Sequence, residues 1–371
     1  MKTKLMIVGA FPKKKNKVFG GVIKSSSILI DSEPFKYFDI IPFDSSQISN
    51  PPPVFIVRFF LSIVRIIRFL YTITSKKPGV ILIFCSSGPS AIEKGFMIIF
   101  SNLLSVKTLI FPRAGNLINQ IKGNQIFRGL IKFLFSKADI FLAQGPTWSN
   151  FAINDLKINS KKISIVNNWT ATKELLEVGK KRIIKDKKYN LTIIYVGWLE
   201  KQKGILEQLY SFYNLTKSYD LKIKFIGDGS LTNKINKFCT EKKIEDRVFI
   251  SGWLPNNEIL THLKSSDIFV IPSWYEGMPN SLIEALASGL PSISSNVGII
   301  PDYIKHNLNG LLIEPKNKLI LEKAIEKTIN DINLRKSLSK NGVELAERFF
   351  SDTFSLNKLA SDIKNLCDDK K

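Results

Sequence analysis

Five short apolar runs, "KLMIVGAF" (4–11), "GVILIFCSS" (79–87), "VKTLIFPR" (106–113), "ADIFLAQG" (138–145) and "KISIVNN" (162–168), are separated by amphipathic stretches of helical length. A charged, turn-prone segment, "GKKRIIKDKKYN" (179–190), then interrupts the rhythm. The rhythm resumes with "LTIIYVGW" (191–198), "LKIKFIGDGS" (221–230), "RVFISGW" (247–253), "DIFVIPS" (267–273) and "LPSISSNVG" (290–298). Runs that are apolar on both faces belong to strands covered on both sides, the environment of a parallel sheet. Alternation with helices supplies the crossovers that such a sheet requires. The sequence therefore predicts two doubly wound α/β domains, over residues 1–180 and 190–350. Residues 351–371 read as a C-terminal helix packing back toward the first domain. A length of 371 residues fits two cores better than one. In open α/β sheets ligands bind beyond the carboxyl ends of the strands, and with two such domains the expected site is the cleft between them.

Charge narrows the partners. The formal balance is +22, and it is uneven: residues 1–180 hold 25 Lys and Arg against 9 Asp and Glu, residues 181–371 hold 29 against 23. Such a first half attracts anions, whether phosphorylated substrates, anionic lipid or nucleic acid; a Lys-, Asn- and Ile-rich composition accounts for part of it. The basic stretches carry aliphatics rather than interleaved stacking aromatics, which argues against nucleic acid. Three cysteines, Cys85, Cys239 and Cys367, suit a reducing compartment without a disulfide frame. The N-terminal apolar stretch before Pro12 is too short for a secretory signal. A cytoplasmic location is expected.

The most apolar stretch, "VFIVRFFLSIVRIIRFLY" (54–71), contains Arg58, Arg65 and Arg68. Each arginine near a bilayer centre costs roughly 2.5–3.5 kcal/mol, so a spanning helix is disfavoured. The three arginines share one helical face, with Phe60, Ile63, Ile67 and Leu70 opposite. Two readings follow: an interfacial helix on an anionic membrane surface, or a helix whose apolar face meets the core and whose basic side meets solvent. "IFRGLIKFLFSK" (126–137) poses the same choice.

One strand-to-helix connection is chemically pointed. In "WYEGMPNSLIEALASGLP" (274–291), Glu276 stands in a tight loop with Gly277 and Pro279, and Glu284 stands just inside the helix that follows. A loop feeding a helix N-terminus offers backbone N–H groups and the positive end of a dipole, which suits a phosphate. A structural alternative exists, because Ser281-x-x-Glu284 has the spacing of a capping box.

The longer stretch "PSWYEGMPNSLIEALASGLPSISSNVGIIPD…NGLLIEP" closely resembles the signature of the retaining glycosyltransferases of family 4, the glycosyl transferases group 1. The residues that carry it are Glu276, Gly277, Pro279, Glu284, Ala285, Gly289, Pro291, Gly298, Pro301, Asp302, Asn309 and Gly310. The resemblance covers residues 190–350 well and 1–180 loosely. It implies the GT-B fold, two Rossmann-like domains facing across a cleft, and transfer of a sugar from a nucleotide-diphosphate sugar. It further implies that Glu276 contacts the donor sugar and Glu284 the ribose hydroxyls, while the amides of Gly277, Met278, Pro279, Asn280 and Ser281 surround the diphosphate. Within "VGWLEKQKGI" (196–205), Lys203 and Gly204 match the family's diphosphate segment, but Trp198 stands where the family has an arginine. Gly227, in "FIGDGS", falls beside the nucleotide, although a plain turn explains it equally well. Trp253 and Leu254 fall near the base.

In the first domain, Gly20 and Gly21 follow a lysine run (13, 14, 15 and 17) and match the family's glycine-rich loop; the lysines meet an acceptor phosphate or form a solvated run. No histidine stands where the family often has one. His262 and His306 read as surface residues, and "FPRAGN" (111–116) supplies Arg113, with Asn116 second, as the group facing the sugar or its phosphate. No Asp-x-Asp occurs in the second domain's loops, so neither a metal nor a cofactor is expected. The expected acceptor is a sugar or lipid-linked precursor of a cell-surface polysaccharide or lipopolysaccharide. The rivals are a nucleotide-sugar epimerase or hydrolase of the same architecture and an inactive, binding-only relative.

Overall fold

A computed structural model describes residues 2–11, 21–46, 53–186 and 188–368. The chain forms two compact units, one of residues 1–169 with 352–371, the other of residues 170–351. Residues 170–180, which the charge pattern assigned to the first domain, therefore cluster with the second.

The first unit is built from β1 (Thr3–Gly9), α1 (Gly21–Asp31), β2 (Phe38–Asp44), α2 (Phe55–Lys76), β3 (Val80–Cys85), α3 (Pro89–Leu103), β4 (Lys107–Pro112), α4 (Leu117–Gly123), α5 (Gln125–Phe135), β5 (Ile140–Ala143), α6 (Pro146–Asn154) and β6 (Ile163–Ile165). Its six strands are parallel, in the order β2-β1-β3-β4-β5-β6. All six residues of β3 are buried, as a strand covered on both faces requires.

The second unit comprises α7 (Lys173–Lys180), β7 (Leu191–Val196), α8 (Ile205–Leu215), β8 (Leu221–Ile226), α9 (Thr232–Lys242), β9 (Val248–Ile250), α10 (Asn256–Lys264), β10 (Ile268–Ile271), α11 (Asn280–Ala287), β11 (Ser292–Ser295), α12 (Ile300–Tyr303), β12 (Leu311–Ile313), α13 (Lys318–Asn330) and α14 (Ile332–Phe350). Its sheet, also parallel, runs β12-β11-β10-β7-β8-β9. The chain then returns to the first unit as α15 (Asp352–Asp368), which buries Leu356, Leu359 and Ile363 in a core shared with Leu5, Leu82, Leu109 and Trp169.

The helix α2 overturns one of its two readings. Its basic side does not simply meet solvent: Arg68 is exposed, but Arg58 and Arg65 are half-buried. Arg65 turns inward and holds Glu93 of α3 through two hydrogen bonds, of 3.0 and 2.8 Å. Of the apolar residues opposite, Phe60, Ile63 and Ile67 are exposed and Leu70 is half-buried.

Candidate functional site

The strand order of the second sheet reverses between β10 and β7. At such a point the loops leaving the two strands diverge and open a crevice at their carboxyl ends. Here those loops are 197–204 after β7 and 272–279 after β10, and both carry residues singled out above.

The two loops are fastened together. Trp274 donates its backbone N–H to the Gln202 carbonyl at 2.9 Å. Gly204 sits at φ +69°, and a Cβ there would lie 2.1 Å from the Pro272 carbonyl oxygen, so only glycine permits this approach. The consequence is an ion pair between the loops. Lys203 Nζ lies 2.5 Å from Glu276 Oε1, and the same oxygen accepts from Ser273 Oγ at 2.9 Å. The Lys203 side chain is 23% exposed and that of Glu276 13%. A pair so placed is reachable by a ligand yet partly shielded from water, where charge–charge attraction is stronger than at the surface. The loop after β11 closes in from a third side: Gly298, at φ +59°, would place a Cβ 1.9 Å from the Glu276 carbonyl oxygen.

Beneath the pair, the buried Tyr195 hydroxyl donates to the Trp198 carbonyl at 2.9 Å. Burial, and then the charges of Glu276 and Glu200, push its pKa up, so the phenol stays neutral and remains a donor. The Trp198 ring meets Trp253 edge to face, with centroids 4.5 Å apart. Such a pair contributes about 0.5–1.5 kcal/mol beyond its buried area. The position where the family has an arginine thus holds an indole locked against the loop after β9. Gly227, at the end of β8, forms a bridge with Gly252 of that same loop, and Leu254 follows in it half-buried.

The helix α11 begins at Asn280 with Pro279 as its N-cap, and no side chain caps it. The capping box of Ser281 and Glu284 is therefore not formed, because the helix starts before Ser281. Gly277, Met278 and Pro279 are buried, Asn280 and Ser281 half-buried. Glu284 is 3% exposed, in the second turn. The first-turn N–H groups of any α-helix lack carbonyl partners within it, and this helix starts directly after the Glu276 loop.

In the first unit, Arg113 follows β4. Its Nη2 donates to Ser25 Oγ of α1 at 3.0 Å, and its guanidinium lies 4.9 Å from the Trp169 ring centre and 5.0 Å from that of Phe111. The residue as a whole is half-buried, but Nη1 is shut off from solvent and has no hydrogen-bond partner. Burial pushes the pKa down to about 9. No carboxylate pairs with it among the described residues. Gly21 is the first residue of α1; Gly20 and the lysines at 13, 14, 15 and 17 lie outside the described residues. His262 stacks on Phe249, and His306 Nδ1 accepts from the Leu312 N–H, so both have structural partners.

Sequence reasoning missed Ser273, Tyr195 and the aromatic cage of Arg113. Ser273 stands three residues before Glu276, within reach of its carboxylate, and that spacing was the available signal. The cage draws on residues more than fifty positions apart and left none.

Comparison with known proteins agrees with the geometry. Residues 179–345 match the family described as Glycosyl transferases group 1. The capsular polysaccharide biosynthesis glycosyltransferase CapM of Staphylococcus aureus is 31% identical over 180 residues, 46% of this chain and 45% of that protein. The UDP-Gal:alpha-D-GlcNAc-diphosphoundecaprenol alpha-1,3-galactosyltransferase of Escherichia coli is 28% identical over 204 residues, 50% of this chain and 52% of that protein. The chain thus spans about half the length of these curated relatives. In fold, it is similar to a sucrose-phosphate synthase from Thermosynechococcus elongatus, with a TM-score of 0.78, 16% identity and coverage of 98% of this chain and 99% of that one. Residues 179–345, most of the second unit, are thus similar to the glycosyl transferases group 1, and each of the two units carries a parallel six-stranded sheet of the kind found in the GT-B fold.

Proposed function

We propose that the chain is a retaining glycosyltransferase that moves a sugar from a nucleotide-diphosphate sugar to an acceptor. The observation that carries this reading is the Lys203–Glu276 pair at the reversal of the second sheet, beside the start of α11. On this reading the donor's diphosphate lies against the amides of residues 277–281 and draws Lys203 away from Glu276. The bond between the sugar's anomeric carbon and the diphosphate oxygen breaks, and the electron pair leaves with the phosphate. The acceptor oxygen bonds to the same face of the sugar, and its proton passes to the departing phosphate oxygen. Glu276, released from Lys203, stabilises the positive charge on the sugar ring. Lys203 stabilises the charge of the leaving group, a contribution commonly worth about 10²–10³ in rate. Glu284 takes the ribose hydroxyls, and Gly227, Trp253 and Leu254 border the nucleotide. Arg113, a half-buried cation with no carboxylate partner among the described residues, and Gly21 of the first unit serve a phosphate or sugar.

The acceptor in this reading is a lipid-linked or cell-surface polysaccharide or lipopolysaccharide precursor, reached at the cytoplasmic face of a membrane. Support comes from the two relatives, one named for a diphosphoundecaprenol-linked acceptor and one for capsular polysaccharide. The test is a panel of nucleotide sugars, first by thermal shift and then by transfer to a lipid-linked acceptor. At least one sugar nucleotide should stabilise the chain in proportion to its affinity, and Glu276→Gln should abolish transfer without unfolding it. Failure of every sugar nucleotide to stabilise the chain overturns the reading. Trp198 in the arginine position favours a second reading, a binding-only relative. That reading expects stabilisation by a sugar nucleotide with no transfer. A hydrolase or epimerase would instead consume the donor without any acceptor.

A further inference from the structure

A helix with the composition of α2 is ordinarily buried by its apolar stripe; this one buries Phe69 and Ile73 but leaves a second, longer apolar stripe outside. Ile56, Phe60, Ile63, Ile67 and Tyr71 recur at helical spacing and are 67, 62, 40, 61 and 73% exposed. They form one stripe about 22 Å long at the helical rise. The inward face buries Phe69 and Ile73 and also carries Arg65, whose guanidinium grips Glu93 through both oxygens. Lys94 Nζ adds a third contact to Glu93 at 2.7 Å, and Glu93 and Lys94 are 5% and 3% exposed. Burial alone would raise the Glu93 pKa; Arg65 and Lys94 outweigh it and hold the carboxylate below its usual range. This largely buried cluster fixes, together with Phe69 and Ile73, which side of α2 turns inward, and the outer apolar stripe is left uncovered.

The stripe does not stand alone. The neighbouring α3 packs between α2 and α5. It exposes Phe96 and Leu103, and α5 exposes Ile126 and Phe133. Three adjacent helices of one layer thus each leave large apolar side chains uncovered. Contiguous apolar surface on this scale marks an interaction site. Charge selects the occupant. The first unit carries 27 Lys and Arg against 11 Asp and Glu, a balance of +16. Exposed Arg68, Lys76 and Lys77 lie along α2 itself, and Lys132 stands beside Phe133 on α5. Two copies of such a face repel each other, whereas an anionic lipid surface satisfies both the charge and the apolar stripe. No helix of the described residues is long and apolar enough to cross a membrane.

We infer that the outward faces of α2, α3 and α5 form a docking surface for an anionic phospholipid bilayer, with the α2 stripe inserted at the headgroup boundary. This gives a specific surface to the membrane-face acceptor of the proposed function, but it depends on no step of the transfer. The test uses the full chain and sedimentation with vesicles of phosphatidylcholine, alone or with one third phosphatidylglycerol, at low and high salt. The chain should sediment with the phosphatidylglycerol vesicles, less so at high salt. The variant Phe60→Ser/Ile63→Ser/Ile67→Ser should lower binding about tenfold or more, because it removes the inserted apolar surface. Its melting temperature should not move, since those side chains are exposed. Ile126→Ser/Phe133→Ser should lower binding independently, which separates a three-helix surface from α2 alone. Absence of vesicle binding, binding indifferent to phosphatidylglycerol, or a dimer by light scattering that the triple variant disperses would each overturn the inference. Thermal shift with sugar nucleotides on the same samples keeps the two proposals apart: vesicle binding without nucleotide binding sinks the transferase reading only, and the converse sinks this one only.

Discussion

The two units each bring a cation to the end of a strand, and they hold it in opposite ways. In the second unit Lys203 has a carboxylate at 2.5 Å, so the pair is locally neutral before any ligand arrives. In the first unit Arg113 is enclosed by Trp169, Phe111 and Phe84, and among the described residues it bonds to the Ser25 side chain and leaves Nη1 without a partner. The difference is energetic. A paired cation is inexpensive to keep folded but must be won from its partner by an incoming anion. An unpaired buried cation weighs on the fold, and an anion reaching it meets no competitor.

The largest expected effect breaks the pair. Glu276→Gln should reduce transfer by about 10²–10³ or more, measured as initial rate with the donor that gives the greatest thermal stabilisation. Next comes the geometry that presents the pair. Gly298→Ala places a methyl group within 1.9 Å of the Glu276 carbonyl oxygen at a positive φ. It should destabilise the protein by about 1–3 kcal/mol in denaturant titration, with transfer falling in parallel.

Stability measurements should then give opposite signs for the two cations. Lys203→Met leaves the half-buried Glu276 without its counter-ion and should destabilise by about 1–2 kcal/mol. Arg113→Met replaces an uncompensated charge with an apolar side chain and should stabilise by about 1 kcal/mol. Equal signs would show that the contrast between the units has no energetic content. The smallest effect concerns Trp198. Restoring an arginine there, Trp198→Arg, should raise the transfer rate up to about tenfold if the leaving group lacks a second cation. The loss of packing against Trp253 offsets part of that gain.

The limits of reading this molecule from its sequence follow the same physics. Central strands such as β3 and β10 are buried on both faces, so they appear as continuous apolar runs and were legible. The two strands that escaped notice, β2 and β12, each lie at an edge of their sheet. β2 is an edge strand containing Pro42, which a one-sided ladder tolerates and which disguises it in sequence. Lys203, Glu276 and Glu284 were singled out through the family resemblance, whereas the pairing of Lys203 with Glu276 across two loops was not legible. Nor was the orientation of α2. Periodicity reveals two faces but not which one turns inward, and that is settled by Glu93, 28 residues beyond Arg65. The capping box failed for a local reason: Pro279 takes the N-cap position and the helix starts at Asn280, so Ser281 already lies inside it. Arg113 was legible as a cation, but its aromatic cage was not.

The central claim is that Lys203 is the diphosphate's cation, held in reserve by Glu276. Calorimetric binding of a nucleoside diphosphate without its sugar tests it most directly, comparing the natural chain with Glu276→Gln. Removing the competing carboxylate while keeping the lysine should tighten that binding about three- to tenfold, as expected when one partly shielded ion pair no longer has to open. Binding that is unchanged or weaker in Glu276→Gln would contradict the account.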